Sequence, residues 1–406
     1  MHHPTPIDLC IADPAVALRE LFLLDPAMIH LNHGSFGACP RPVFAAYQGY
    51  QRELEANTSE EMGRLTQRVP AVRETLAAFV GADPGDLVLT ANATTALNAV
   101  TRSFPLREGD VVLGTDHAYG AMANAWRYAC QRAGAEYQEV AVPLPAPPRS
   151  ELVERIWAAV GPRTRVLFLS HITSPTALTW PVAALIRRAR EAGILTVIDG
   201  AHAVGQLELD LDALGADCYV ASCHKWLMAP KGTGFLHVRR EHHGWLAPLV
   251  VGWGWGNDPG ERTRLVTEHE NQGTRDPAGY LAVADAIAFQ REHDWAAVRA
   301  RCHGRLVAFR ERLATLTGEP PLTPPEEGWF AQMASLPLPP CDATWLSREL
   351  RERYAVVVPI LSFAGRAMIR VSVQGYVTEA DLDRCLEGLA TLLPQAVARG
   401  NYSSSR

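Results

Sequence analysis

No unbroken apolar run in this sequence approaches the roughly 18 residues that a membrane-spanning helix requires. The N-terminus, MHHPTPIDLC, lacks a basic region leading into an apolar stretch, so no secretory leader is expected. Basic runs are absent too: 38 Lys+Arg stand against 44 Asp+Glu, a formal charge of −6. Phosphate neutralisation needs a clustered positive face, so a nucleic-acid role is excluded. The eight cysteines (Cys10, Cys39, Cys130, Cys218, Cys223, Cys302, Cys341 and Cys385) form no CxxC pair or other zinc-ligand spacing. They read as reduced thiols of a soluble cytoplasmic protein. The pairs His2-His3 and His242-His243 lack a helical partner with carboxylate support, and no metal is expected.

The chain has 406 residues, 48% of them hydrophobic. That exceeds what one core of about 250–300 residues supports and excludes disorder, so a large and a small domain are expected. From about Asp86, short β-rich runs alternate with helix-length segments. The runs are Leu87 to Leu89, Val111 to Leu113, Tyr137 to Val142, Val166 to Leu169, Leu195 to Ile198, Cys218 to Ala221 and Phe235 to Val238. Apolar runs without polar alternation suit a sheet covered on both faces, hence an α/β fold with a mostly parallel sheet. After Asp276 the alternation ends. Helical patterns at Ala278 to His293 and Trp295 to Leu316 precede strand candidates at Trp329 to Ser335, Val356 to Ile360 and Met368 to Val373, then a helix at Glu379 to Leu393. A smaller α+β domain is expected there. The division is thus residues 1–28, packing on the small domain; 29–275, the large domain; 276–396, the small domain; and 397–406, a frayed tail.

Chemistry concentrates at Asp199-Gly200-Ala201-His202 and, past the next strand, at Ser222-Cys223-His224-Lys225-Trp226. An acid ending one buried strand and a lysine following its neighbour would face the crevice at the carboxyl ends of a parallel sheet, where ligands bind. Taken singly, each has a plainer reading as a helix-capping aspartate and a surface lysine. Upstream, Thr90-Ala91-Asn92-Ala93-Thr94-Thr95 joins a strand to a helix. Small residues there let backbone N–H groups approach a phosphate, with Thr94 and Thr95 as added donors, or one of them simply caps the helix. Gly252-Trp253-Gly254-Trp255-Gly256 has the glycines of a dinucleotide loop but neither the preceding strand nor room beside tryptophan.

Together these segments resemble fold-type I pyridoxal-phosphate (PLP) enzymes of the class V aminotransferase group. Within it they resemble the isopenicillin N epimerase-like branch, through Leu31-Asn32-His33-Gly34-Ser35-Phe36-Gly37, Asp199-Gly200-Ala201-His202, Gln272-Gly273-Thr274-Arg275-Asp276 and Ile369-Arg370-Val371-Ser372. The resemblance implies that Lys225 carries the cofactor and acts as base on Cα, and that Asp199 pairs with the ring nitrogen. It places His202 at the ring hydroxyl and Thr94, Thr95, Ser222 and His224 at the phosphate. Thr274 would reach the phosphate of a neighbouring subunit, giving a homodimer with composite sites. Tyr119 or His117 would cover the ring, Arg370 would grip the substrate carboxylate, and Asn32 and His33 would line the same pocket. Leu361 to Arg366 has no cysteine where desulfurases of the group carry one, which argues against desulfuration. The Ser170 to Pro175 loop also departs from them. The expected reaction is β-elimination from a specialised amino acid, with epimerisation and transamination as alternatives and a PLP-binding sensor as the non-enzymatic one.

Overall fold

A computed structural model describes residues 13–324 and 328–403. In chain order its strands are β1 (Ile29–His30), β2 (Leu87–Thr90), β3 (Val111–Thr115), β4 (Glu136–Val140), β5 (Thr164–Ser170), β6 (Leu195–Asp199), β7 (Cys218–Ser222), β8 (Gly234–Val238), β9 (Met333–Pro337), β10 (Val356–Val357), β11 (Ile360–Phe363) and β12 (Arg366–Ser372). Seven of them form the main sheet in the order β2-β8-β7-β6-β5-β3-β4. Strand β8 runs antiparallel to both β2 and β7, and the pairs from β7 through to β4 are parallel.

Every residue of β3, β6, β7 and β8 is buried. Successive side chains point to opposite faces, and both faces are covered. Val88, Val112, Val166, Val197, Val220 and Leu236 enter one apolar cluster. Their neighbours Leu87, Leu113, Leu167, Ile198, Tyr219 and Phe235 enter the other. This double burial is why the strand runs read as uninterrupted apolar segments.

The smaller sheet, β11-β12-β9, is antiparallel. The strand expected across Val356 to Ile360 is instead two: β10 pairs in parallel with β1, and β11 pairs with β12. Pro359, which cannot donate to a ladder, separates them. The strand expected from Trp329 starts only at Met333, and the last helix continues from Glu379 to Ser403, past the expected start of the tail. Residues 404–406 of that tail lie outside the described residues. Helix Ala278–Glu292 packs against helices Arg41–Ala56 and Val69–Val80. The N-terminal segment meets the later part of the chain where Arg19 hydrogen-bonds the Tyr376 carbonyl at 3.1 Å and pairs with Asp381. Among the described residues, no helix is long and apolar enough to cross a membrane.

Candidate active site

Asp199 closes β6 and Lys225 follows the adjacent β7, so both emerge at the carboxyl ends of parallel strands. Lys225 Nζ lies 3.2 Å from His202 Nε2, and Trp226 donates its indole N–H to His202 Nδ1 at 3.3 Å. Burial lowers the lysine pKa to about 8; Asp199 opposes that shift and Arg370 reinforces it. Asp199 is itself buried, which raises its pKa, while the Ala201 N–H on its Oδ1 and nearby Lys225 act the other way. Lys225 and Lys231 are the only lysines in the sequence. Lys231 sits away from this group, bonding the Gly37 carbonyl.

The turn carrying Lys225 is held from below. His33 Nε2–H donates to the Lys225 carbonyl at 3.1 Å, and its Nδ1 contacts the Tyr376 hydroxyl at 3.0 Å. Expected to line the substrate pocket, His33 is therefore a fully buried brace, and burial depresses its pKa to about 3. Gly37 has φ +69°, and a side chain there would collide with the His224 backbone, so the N-terminal loop can seat against the turn only as glycine.

Asn92 caps helix Ala93–Ser103 through Thr95 N–H at 2.8 Å, so neither threonine is the cap. Ser222 Oγ accepts from Ala93 N–H at 3.3 Å, tying the end of β7 to the helix start. Thr95 borders a cavity of about 220 Å³ with Thr90, Gln272 and Arg275. His224 Nδ1 donates to the Thr233 carbonyl at 3.0 Å. Thr94, Thr95 and Ser222 are thus assembled around one helix N-terminus, and His224 lies two residues after Ser222.

Arg370, on β12, is 7% exposed and pairs with no carboxylate among the described residues. It donates to the Ser174 carbonyl at 2.7 Å and to Ser35 Oγ at 3.0 Å, and its Nε–H is unpartnered. Ser35 in turn donates to Asn32 Oδ1 at 2.6 Å. An uncompensated buried guanidinium is costly, so this arrangement invites an anion. Of the two aromatic candidates, Tyr119 is 47% exposed and electrostatically coupled to Arg370. His117 is sealed: its nitrogens meet Thr176 Oγ1 and the Val142 carbonyl, and its ring packs on Phe363 and Trp180.

Thr274 does not join this cluster. It is exposed and borders a separate cavity of about 370 Å³ with Trp253, Asn271 and Arg275. Sequence reasoning missed Ser35 and Ser174 as the supports of Arg370, Asn92 as the cap, and the Trp226 donor. Ser35 lies inside the motif already quoted, whereas Ser174 has no signal because its role is made by contact across the fold. Asp217, Glu241 and His242 bring potential metal-ligand atoms within 4.8 Å of one another. There His242 hydrogen-bonds Asp217 at 3.0 Å, and Arg239 already pairs with both carboxylates.

The site fits PLP on its own geometry. A lysine of lowered pKa faces a buried carboxylate with a single backbone donor, a capped helix start offers hydroxyls and N–H groups, and an unpaired arginine stands opposite. The chain matches the family described as Aminotransferase class-V over residues 36–385. It is 38% identical over 388 residues to isopenicillin N epimerase of Amycolatopsis lactamdurans, covering 92% of this chain and 97% of that one. With an L-cysteine desulfhydrase of Arabidopsis thaliana it shares 28% identity over 407 residues, covering 89% and 87%. A solved lysine-to-alanine mutant of C-DES, with glycine covalently linked to its PLP cofactor, superposes with a TM-score of 0.76 at 22% identity, covering 89% and 96%. At that identity the likeness is one of fold.

Proposed function

The chain belongs to the class-V aminotransferase family, and from that premise we propose that it is a PLP-dependent enzyme that removes the Cα proton of a specialised amino acid and expels a sulfur-linked group from Cβ. When bound, PLP supplies the electron sink that makes the Cα proton removable. Lys225 carries the cofactor and, when free, takes the proton. Asp199 keeps the ring nitrogen protonated, and His202 faces the ring hydroxyl. Thr94, Thr95, Ser222 and His224 hold the phosphate, and Tyr119 covers the ring. Arg370, steadied by Ser35 and Ser174 with Asn32 behind Ser35, fixes the substrate carboxylate and so orients the Cα–H bond. Two copies complete the unit, with Thr274 of each serving the other's phosphate. Seven free cysteines among the described residues suit a cytoplasmic setting.

The observation that carries the elimination reading is the single available base. Lys225 is poised near neutrality, whereas His117 has both nitrogens engaged. Elimination needs one base on one face and a leaving thiolate, which this arrangement supports. The 38% identity with an epimerase favours a second reading, in which Lys225 or exposed Tyr119 returns the proton to the opposite face. Turnover in deuterium oxide separates them. Elimination yields pyruvate, ammonia and a thiol from a cysteine S-conjugate and water; intact substrate labelled at Cα in both configurations, with no β-fragment, would replace it with epimerisation.

A further inference from the structure

We propose that Trp226 is a positioning residue that sets the tautomer of His202 and thereby holds free Lys225 as a neutral amine. An indole N–H can only donate. Its bond to His202 Nδ1, at 3.3 Å, requires a lone pair on that nitrogen. In a neutral imidazole the proton then resides on Nε2. Nε2–H points at Lys225 Nζ, 3.2 Å away, and the amine must offer a lone pair to receive it. An ammonium at Lys225 would need the reverse, an acceptor at Nε2 and hence a proton on Nδ1, directly against the indole N–H. Protonating the lysine therefore breaks one of the two bonds.

A doubly protonated His202 offers no escape, because it is buried and faces Lys225 and Arg370, which hold its pKa well below the usual imidazole range. The charged or titratable groups facing Lys225 are Asp199 from β6, Arg370 from β12, His202 itself and His224 of the same turn. Of these, Asp199 alone favours the ammonium.

Trp226 is built to hold its direction. Its indole is fully buried, packs 5.0 Å from the His33 ring and lies in a cluster with Ile172, Ala203 and Met333. Gln290 Nε2 donates to its carbonyl at 2.9 Å. Gly205, at φ +88°, lies so close to the Trp226 backbone that a side chain there would collide with it. By contrast the equally buried Trp126 has an indole N–H without a partner.

The inference rests on Lys225 being the cofactor lysine, but half of its test does not. Nitrogen-15 NMR of the full-length, cofactor-free chain with labelled histidine should show His202 as the Nε2–H tautomer; an Nδ1–H tautomer would overturn the proposal without any variant. Uptake of PLP by the same protein, followed against pH, should have a midpoint near the Lys225 value. Trp226→Phe should raise that midpoint by about one unit, slowing uptake about tenfold at pH 7 and leaving it unchanged at pH 10. Trp126→Phe, an equal loss of a buried indole, should leave the midpoint in place. Equal midpoints for the two variants would overturn the proposal. An Nε2–H tautomer in a chain that takes up no PLP would support the tautomer assignment and reject the cofactor reading separately.

Discussion

Lys225 owes its chemistry to being dry. The folded chain holds its pKa at about 8 against 10.5 for a free lysine, so between those values the unfolded chain binds the extra proton. Stability of the cofactor-free protein therefore rises with pH across that window, and the penalty is fully present below it. Lys225→Met should gain about 3 kcal/mol over the parent at pH 7, a difference that closes toward pH 10.5. Urea unfolding at several pH values checks this, and a gap independent of pH would contradict it. Lys225, Asp199 and Arg370 were legible in the sequence because each sits where strand pattern and motif coincide. His33 was not, since its burial depends on Lys225, Gln374 and Tyr376, far along the chain. Local pattern carries no record of such contacts.

At the scale of elements, six of the seven strands of the main sheet were readable because burial on both faces leaves an apolar signature in each. Edge strand β4 is exposed or half-buried throughout and showed only as a β-rich run. The helices Arg41–Ala56, Thr58–Thr66 and Val69–Val80 went unassigned. Arg41–Ala56 and Thr58–Thr66 bury only Val43, Leu54 and Leu65, which leaves little apolar periodicity to read, and no chemistry-bearing motif marks the three helices. One proline turned an apparent single strand into two with different partners, only the second of which joins the smaller sheet. Strand β12 presents Arg370, but the short helix His33–Phe36 and a loop from elsewhere aim it, through Ser35 and Ser174. Ser35→Ala removes a hydrogen bond from the charged guanidinium, typically about 1.5–3 kcal/mol, so KM for the amino acid should rise about tenfold or more while kcat holds. Steady-state kinetics decide it; a fall in kcat at constant KM would place Ser35 in the chemical step instead.

For the whole molecule, the exposed position of Thr274, outside the Lys225 cluster, makes sense if it serves a second copy. Thr274→Val should then weaken PLP retention about tenfold or more, the usual loss for a hydrogen bond to a charged group. Dialysis against a PLP trap reads that loss, and sedimentation of a fully active monomer would contradict the arrangement. The substrate grip is also a matter of chain order. Ser35 and Arg370, which touch, are separated by 335 residues, and β1 pairs with β10. The ribosome makes Ser35 335 residues before Arg370. Contacts of such separation form late and slowly. The lysine turn and the helix proposed to cradle the phosphate are both synthesised before β12 exists, so on that reading the nascent protein acquires its cofactor-binding half first. On the proposed reading, the arginine clamp closes only when β12 folds back onto the Ser35 segment, and a chain cut short before β12 lacks the group that would seize an amino acid.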